Sequence, residues 1–383
     1  MNLNFNINSR KKVKYNIFNK NMINIVEPNR QVITKSTVSV DKSIVNVDNL
    51  FKFCNDSKEC TNVLYIIGEN FSNTFIHLAI NNNNKFIYKY SNEWLYLINN
   101  YYPSEYYVKL VELYSKTLLS KPNIIVNENV VSFITSFSLG TVHGYTGLFN
   151  NIIYYLDNIE KFKNHKIIIY RESQKGMLDI IYYLVDNKVL DKDKFIFLEK
   201  NVSYYFSSVY FIENKYHIYT NELSKLISTK FIDKYIKPHL CDTIYLNSIS
   251  EHYNLPKNLD KILIMKGSDS IKITDDGTFS NESITNFKNK MNLTLIEPGI
   301  IHEIALIHII QSCSIFIVSW GTSFFKNYIY ISDKCKQIFV LILENSNFYD
   351  QYTGSYKNNL IYTYKNAKIT YIVTNLELSN ITT

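Results

Sequence analysis

A chain of 383 residues with 46% hydrophobic content has the apolar material for a sizeable core, and its length favours two domains over one small module. Its 41 Lys and Arg against 34 Asp and Glu give a formal charge of +7 without a long like-charge block. Only Arg10, Arg30 and Arg171 are arginines, so a dedicated nucleic-acid-binding surface is not expected.

Residues 1–60 are polar with weak alternation at Val38, Val40, Val45 and Val47, which reads as a partly β extension rather than a domain. The start of the chain carries Arg10, Lys11 and Lys12 but no apolar signal-peptide core, and no run of 18 apolar residues occurs anywhere. Five cysteines (Cys54, Cys60, Cys241, Cys313 and Cys335) lack CxxC spacing, which argues for a reducing compartment and against a structural zinc site. A cytoplasmic protein without an integral membrane segment is expected. The wealth of Asn, Ile, Lys, Tyr and Phe is what AT-rich codons encode, as in large AT-rich viruses and some protists and bacteria; for a virus the compartment is the host cytoplasm.

From residue 61 the pattern turns α/β. A strand over residues 63–67 precedes a helix over 106–119, and a strand over 130–137 runs into Gly140, Gly144 and Gly147. Glycine this dense marks backbone that turns tightly or approaches a ligand. Then follow a helix over 148–162, a strand over 166–170, a helix over 174–186, a strand over 195–198 and a helix over 221–235. Pro238 and Pro256 bracket an interdomain crossing, dividing the chain into domains over 61–245 and 256–383. In the second, strands over 261–265, 293–297, 314–318 and 338–343 alternate with helices over 281–290, 301–313 and 324–331, the pattern of a parallel sheet covered on both faces. The expected fold is two Rossmann-like halves behind a polar extension.

The most informative segment is residues 315–323, where an apolar strand passes through Trp320, Gly321, Thr322 and Ser323 into a helix. The carboxyl end of a parallel strand is where such folds bind ligands, and the helix start offers free N–H groups to a phosphate. Thr322 or Ser323 serving only as an N-cap is the plain alternative. No Gly-x-Gly-x-x-Gly follows any strand and no Gly-x-x-x-x-Gly-Lys loop occurs, which disfavours a dinucleotide-dependent enzyme.

Residues 261–327 resemble the C-terminal half of glycosyltransferase family 61, whose members include plant xylosyl- and arabinosyltransferases and bacterial capsule enzymes. The order of features carries the likeness: Lys266 after a strand, Asn281 and Glu282 opening a helix, Pro298 after the next strand, Glu303 early in a helix, then Trp320-Gly321-Thr322 with Asn327. Lys266 stands where the family has arginine, and Trp320 where it commonly has histidine. Upstream, Gly140-Thr141-Val142-His143 is similar to the family's short histidine motif, and the likeness covers about residues 137–345. It implies a GT-B-like fold and an inverting transfer from a nucleotide-sugar, commonly UDP-linked, to a hydroxyl of a glycan or glycoprotein, with no cofactor and no required metal.

On that resemblance His143 takes the acceptor proton, or is a histidine bonded only for structure. Lys266 meets the charge of the departing diphosphate as a point charge, or is a solvated lysine. Glu303 binds a ribose or sugar hydroxyl, or only favours its helix start. Trp320 stacks on the base, or sits in the core. Gly321, Thr322, Ser323 and Asn327 complete the donor site. Gly144 and Arg171 are places for an acceptor or phosphate, although a surface ion pair with a neighbour such as Glu172 is the commoner fate of such an arginine. Asp275 and Asp276 read as a turn rather than as the Asp-x-Asp of a metal-diphosphate site. The alternative function is a non-catalytic glycan- or nucleotide-binding protein on the same fold, its turnover lost with the changes at 266 and 320.

Overall fold

The computed structural model describes residues 58–71, 74–80, 122–134, 142–212, 225–236, 243–256, 258–265, 279, 281–344 and 362–374. Residues 1–57 of the expected extension over 1–60 and the expected helix over 106–119 lie outside them, while residues 58–60 open the first strand. The chain divides into two compact units between Ile218 and Tyr219.

In the first unit, strands β1 (Lys58–Phe71), β2 (Thr74–Ile80), β3 (Ile124–Ser132), β4 (Lys166–Tyr170), β5 (Phe195–Leu198) and β6 (Ser203–Phe211) form one sheet in the order β2-β1-β6-β3-β4-β5. β3 to β6 are parallel, and β1 runs antiparallel to β2 and β6. β4 reads Lys-Ile-Ile-Ile-Tyr and buries its last four residues, as a strand covered on both faces must. Helix α1 (Val142–Asp157) joins β3 to β4, and α2 (Lys175–Asp186) joins β4 to β5. α2 buries Met177, Ile180, Ile181 and Leu184, spaced three and four apart along one stripe. It stops where Asn187 gives both its backbone N–H and its side-chain amide to the Tyr183 carbonyl and Lys188 turns to φ 58°.

One face of this sheet gathers Val63, Tyr65, Val126, Val130, Ile168, Tyr170, Ile196, Leu198, Tyr204 and Phe206 into a core. A fully buried Ile or Leu there is worth about 1.5–3 kcal/mol. β5 and β6 are both parallel to β4, yet only Glu199, Lys200, Asn201 and Val202 join them. A bridge from Lys200 to Ile67, with the Asn201 N–H on the Ile67 carbonyl, ties the link to β1.

The second unit holds β7 (Lys261–Ile264), β8 (Thr294–Ile296), β9 (Ile315–Ser319), β10 (Gln337–Leu343), β11 (Thr363–Tyr364) and β12 (Ala367–Thr374), ordered β11-β12-β10-β9-β7-β8. All but the short β11 are parallel. α3 (Thr243–His252) precedes the sheet, α4 (Asn281–Met291) joins β7 to β8, α5 (Glu303–Ser312) joins β8 to β9, and α6 (Thr322–Asn327) with a 3₁₀ turn over Tyr328–Tyr330 leads towards β10. α4 places Glu282 in its first turn and Lys288 and Lys290 in its last, each favourable to the helix dipole. Its Ile284 and Phe287 pack on Leu263, Ile317 and Leu341 of the sheet. α5 is buried throughout residues 303–310, as expected of a helix apolar on every side. A π-helix over Ile227–Ile236 also belongs to this unit, so the division falls ahead of the Pro238–Pro256 segment.

Both units are thus α/β with mostly parallel sheets. No helix among the described residues is long and apolar enough to cross a membrane.

Candidate functional site

Counted in chain order, the five parallel strands of the second unit lie 2-1-3-4-5 across the sheet. The chain moves outward from β7 to β8, then returns over β7 to place β9 on its other side. β7 and β9 are hydrogen-bonded neighbours with Ile264 opposite Val318, and the strand that follows β7 in the chain lies on one side of the pair while the strand that follows β9 lies on the other. In open α/β sheets ligands bind outside the carboxyl ends of the strands at such a reversal.

Gly321 lies two residues beyond the end of β9, as the N-cap of α6. Its φ of 95° and ψ of −146° lie in a region open essentially to glycine alone. The Trp320 N–H bonds to the Leu341 carbonyl, and the Phe325 N–H returns to the Gly321 carbonyl. This fixes the reversal from strand to helix and starts α6 with the N–H groups of Thr322, Ser323 and Phe324 lacking intrahelical acceptors. Lys266, on the continuation of β7, lies outside the described residues, as do residues 267–278 and the side chains of Thr322 and Asn281.

The remaining side chains expected here lie behind the turn. Trp320 is buried, stacked on Phe324 at 5.9 Å and edge-on to Phe325 and Tyr371 at 5.1 and 5.7 Å. The amide of the buried Asn327 donates to the Ser323 carbonyl at 2.8 Å, bracing the first turn, while its Oδ1 is buried with no hydrogen-bond partner among the described residues.

Glu303, the first residue of α5, is 2% exposed. Its Oε2 accepts from Lys326 Nζ at 2.7 Å and its Oε1 from the Tyr330 hydroxyl at 3.1 Å. Lys326 and Tyr330 are buried as well, so one side chain of α5 anchors α6 and the 3₁₀ turn after it. Nothing in the family likeness pointed to Lys326. The available signal was a lysine inside the apolar run Phe324-Phe325-Lys326-Asn327-Tyr328-Ile329, where a buried charge requires a partner.

In the first unit the four parallel strands run 3-2-1-4 across the sheet, so the reversal falls between β3 and β6. His143 and Gly144 are the second and third residues of α1, on the chain that leaves the carboxyl end of β3; Gly144 is buried, and the His143 side chain lies outside the described residues, as do Gly140 and Thr141. Arg171 follows β4. Its Nε meets Glu199 Oε1 at 3.4 Å, with the two side chains 50% and 41% exposed, and its guanidinium lies 5.7 Å from the Phe197 ring centre. The partner is Glu199 of the next loop rather than Glu172, which accepts from the Tyr170 hydroxyl.

A cavity of about 610 Å³ lies elsewhere, near the amino end of β5, lined by Tyr155, Asp186, Lys188, Asp191, Lys192 and Lys194 among others. Burial pushes the Asp186 carboxyl and the Tyr155 hydroxyl up and the Lys194 ammonium down. Lys194 donates to the Lys163 and Phe162 carbonyls at 2.8 and 3.3 Å and to the Tyr155 hydroxyl at 3.4 Å, so its charge knits a loop together. Among the described residues no three His, Cys, Asp or Glu side chains are grouped to hold a metal.

The chain matches no protein-family model, and no curated protein matches it.

Proposed function

We propose that this chain is a glycosyltransferase with a GT-B-like fold of two Rossmann-type halves, and that it moves a sugar from a UDP-linked nucleotide-sugar to a hydroxyl of a glycan or glycoprotein, with inversion and without a required metal. The observation that carries the reading is the reversal of strand order in the second unit, which sets the glycine-only turn at Gly321 beside the end of the strand that leads into Lys266. On this reading the diphosphate of a UDP-type donor rests on the amides of Thr322, Ser323 and Phe324, and Lys266 balances the charge gained as the bond to the anomeric carbon breaks. The acceptor oxygen attacks that carbon with inversion, and its proton passes to His143 or a carboxylate.

A second reading, a nucleotide- or glycan-binding protein without turnover, is favoured by one observation. Trp320, which stands where the family commonly has histidine, is packed into the core against Phe324, Phe325 and Tyr371 and supplies no acid or base to a reaction.

A thermal-shift series with UDP-, GDP-, CMP- and dTDP-sugars on wild type, Lys266→Ala and Ser323→Glu tests both. Glutamate in the first turn of α6 favours the helix dipole but repels a diphosphate, so Ser323→Glu separates loss of binding from loss of folding. A donor at 100 times its Kd stabilises the wild type by about 2.7 kcal/mol, and Ser323→Glu is expected to lose that gain. Slow donor hydrolysis alongside the shift marks the enzyme, and binding without hydrolysis or transfer marks the second reading. Absence of any shift, or equal shifts in all three proteins, refutes the donor site.

A further inference from the structure

The parallel register of β9 and β10 sets Ile315 opposite Gln337. Carried two residues back beyond the ladder, the same register puts Cys313 opposite Cys335, and the Lys336 N–H on the Ser314 carbonyl at 2.8 Å holds the two segments together one residue away. Neighbouring parallel strands lie about 4.8 Å apart, within the Cα separation of roughly 4.4–6.8 Å that a disulfide spans. Both thiols are free and both side chains are buried, the Cys313 thiol donating to the Ile310 carbonyl at 3.2 Å and the Cys335 thiol to the Gln337 carbonyl at 3.4 Å.

We propose that Cys313 and Cys335 are a dithiol that closes to a disulfide when the protein meets a small-molecule disulfide oxidant. Neither cysteine belongs to a metal cluster among the described residues, and neither was assigned a role by the sequence pattern. The bond would link the start of β9 to the start of β10 and enclose residues 314–334, the segment that carries Gly321, α6 and Lys326.

The surroundings divide the roles. Contact with the Cys313 thiol and the backbone N–H groups of Gln337 and Phe316 draw the Cys335 thiol down, with burial opposing them. Cys313 is pushed up, first by its bond to Cys335 and then by burial. Cys335 also lies in a turn whose Asp333, Lys334 and Lys336 are exposed, so local opening of that turn brings its sulfur to solvent. Cys335, as thiolate, attacks one sulfur of the oxidant and expels one thiolate. The Cys313 sulfur, its proton passing to solvent, then attacks Cys335 and expels the second thiol. One protein dithiol and one small disulfide become one protein disulfide and two small thiols, so atoms and electrons balance.

The test uses the full chain with Cys54, Cys60 and Cys241 replaced by serine, incubated with oxidised glutathione, alkylated and digested for mass spectrometry. The expected product is a Cys313–Cys335 cross-linked peptide with loss of both alkylatable thiols, reversed by dithiothreitol. Closing this loop is expected to raise Tm by roughly 5 °C or more, and adding dithiothreitol removes the rise. Cys313→Ser is expected to stop at a mixed disulfide of glutathione on Cys335. The proposal is overturned if both thiols of the folded cysteine-replaced protein stay alkylatable after prolonged oxidation. It is overturned equally if the glutathione adduct persists on Cys335 while Cys313 is intact.

Discussion

Replacing Lys326 by methionine keeps most of the side chain's length and removes the cation that faces Glu303. The pair is 9% and 2% exposed at its side chains, so water cannot replace the lost partner. Breaking such a pair from one side costs about 3–5 kcal/mol, because it leaves the remaining carboxyl buried without its cation. Glu303→Gln is expected to cost a similar amount by stranding the Lys326 ammonium. Removing both charges together, as Glu303→Gln with Lys326→Met, leaves an amide oxygen for the Tyr330 hydroxyl and is expected to fall within about 1–2 kcal/mol of wild type. The cycle therefore predicts a coupling of about 3 kcal/mol or more. Trp320, packed against Phe324 beside Lys326, is a local reporter; in a Trp94→Phe background it is the chain's one remaining tryptophan, and urea unfolding followed by its fluorescence reads the second unit. Single variants within about 0.5 kcal/mol of wild type, or a double variant whose loss equals the sum of the singles, would refute the claim that this pair anchors α6.

Three other outcomes follow from the geometry. Gly321→Ala places a Cβ where φ is 95° and is expected to cost about 1–3 kcal/mol in the same urea assay, whereas no loss would show that the turn relaxes freely. Arg171→Ala removes a half-exposed pair with Glu199 and is expected to change stability by less than about 1 kcal/mol and to leave any nucleotide-sugar thermal shift intact; a lost shift would instead make Arg171 a phosphate ligand. His165 is held below its ordinary 6.5, first by burial and then by Lys161 and Lys194, with Glu59 opposing. The unfolded chain thus binds more protons between the folded value and 6.5, and stability falls as pH drops through that window. His165→Gln is expected to flatten this fall in a pH series of Tm values, and identical slopes for the two proteins would dismiss the effect.

The strands of the second unit were legible because each is a short apolar run bounded by turn residues, as in residues 261–265 and 314–318, and a parallel sheet covered on both faces demands such runs. β6 escaped because Ser-Tyr-Tyr-Phe-Ser-Ser-Val-Tyr-Phe mixes serine and tyrosine without clean alternation, and its pairing with β1 and β3 is set by long-range contacts. β12 escaped for a related reason, since half of its residues are only partly buried and its place follows from β10. The π-helix over Ile227–Ile236 fell inside an expected helix, but the spacing of its apolar residues does not announce i to i+5 bonding. At the candidate site the glycine turn was visible from a strand ending in small residues. The Glu303–Lys326–Tyr330 cluster was not, because it joins side chains 23 and 27 positions apart across two helices.

That cluster changes what a donor site on the second unit must be made of. Lys326 and Glu303 neutralise each other within 2.7 Å, and Trp320 spends its faces on Phe324, Phe325 and Tyr371. Under the proposed function, the residues nominated by the family likeness on this unit that would be left to meet a diphosphate are the backbone amides at Thr322 and Ser323 and the residue at 266. Amides fixed by a glycine-only turn need no reorganisation as charge develops, so they suit a leaving diphosphate better than mobile side chains do. Their rigidity in turn depends on Asn327 gripping the Ser323 carbonyl and on Glu303 holding Lys326 from behind. Binding and stability should therefore separate by residue: changes at 323 and 266 weaken the ligand while sparing the fold, and changes at 303 and 326 weaken the fold first and the ligand as a consequence.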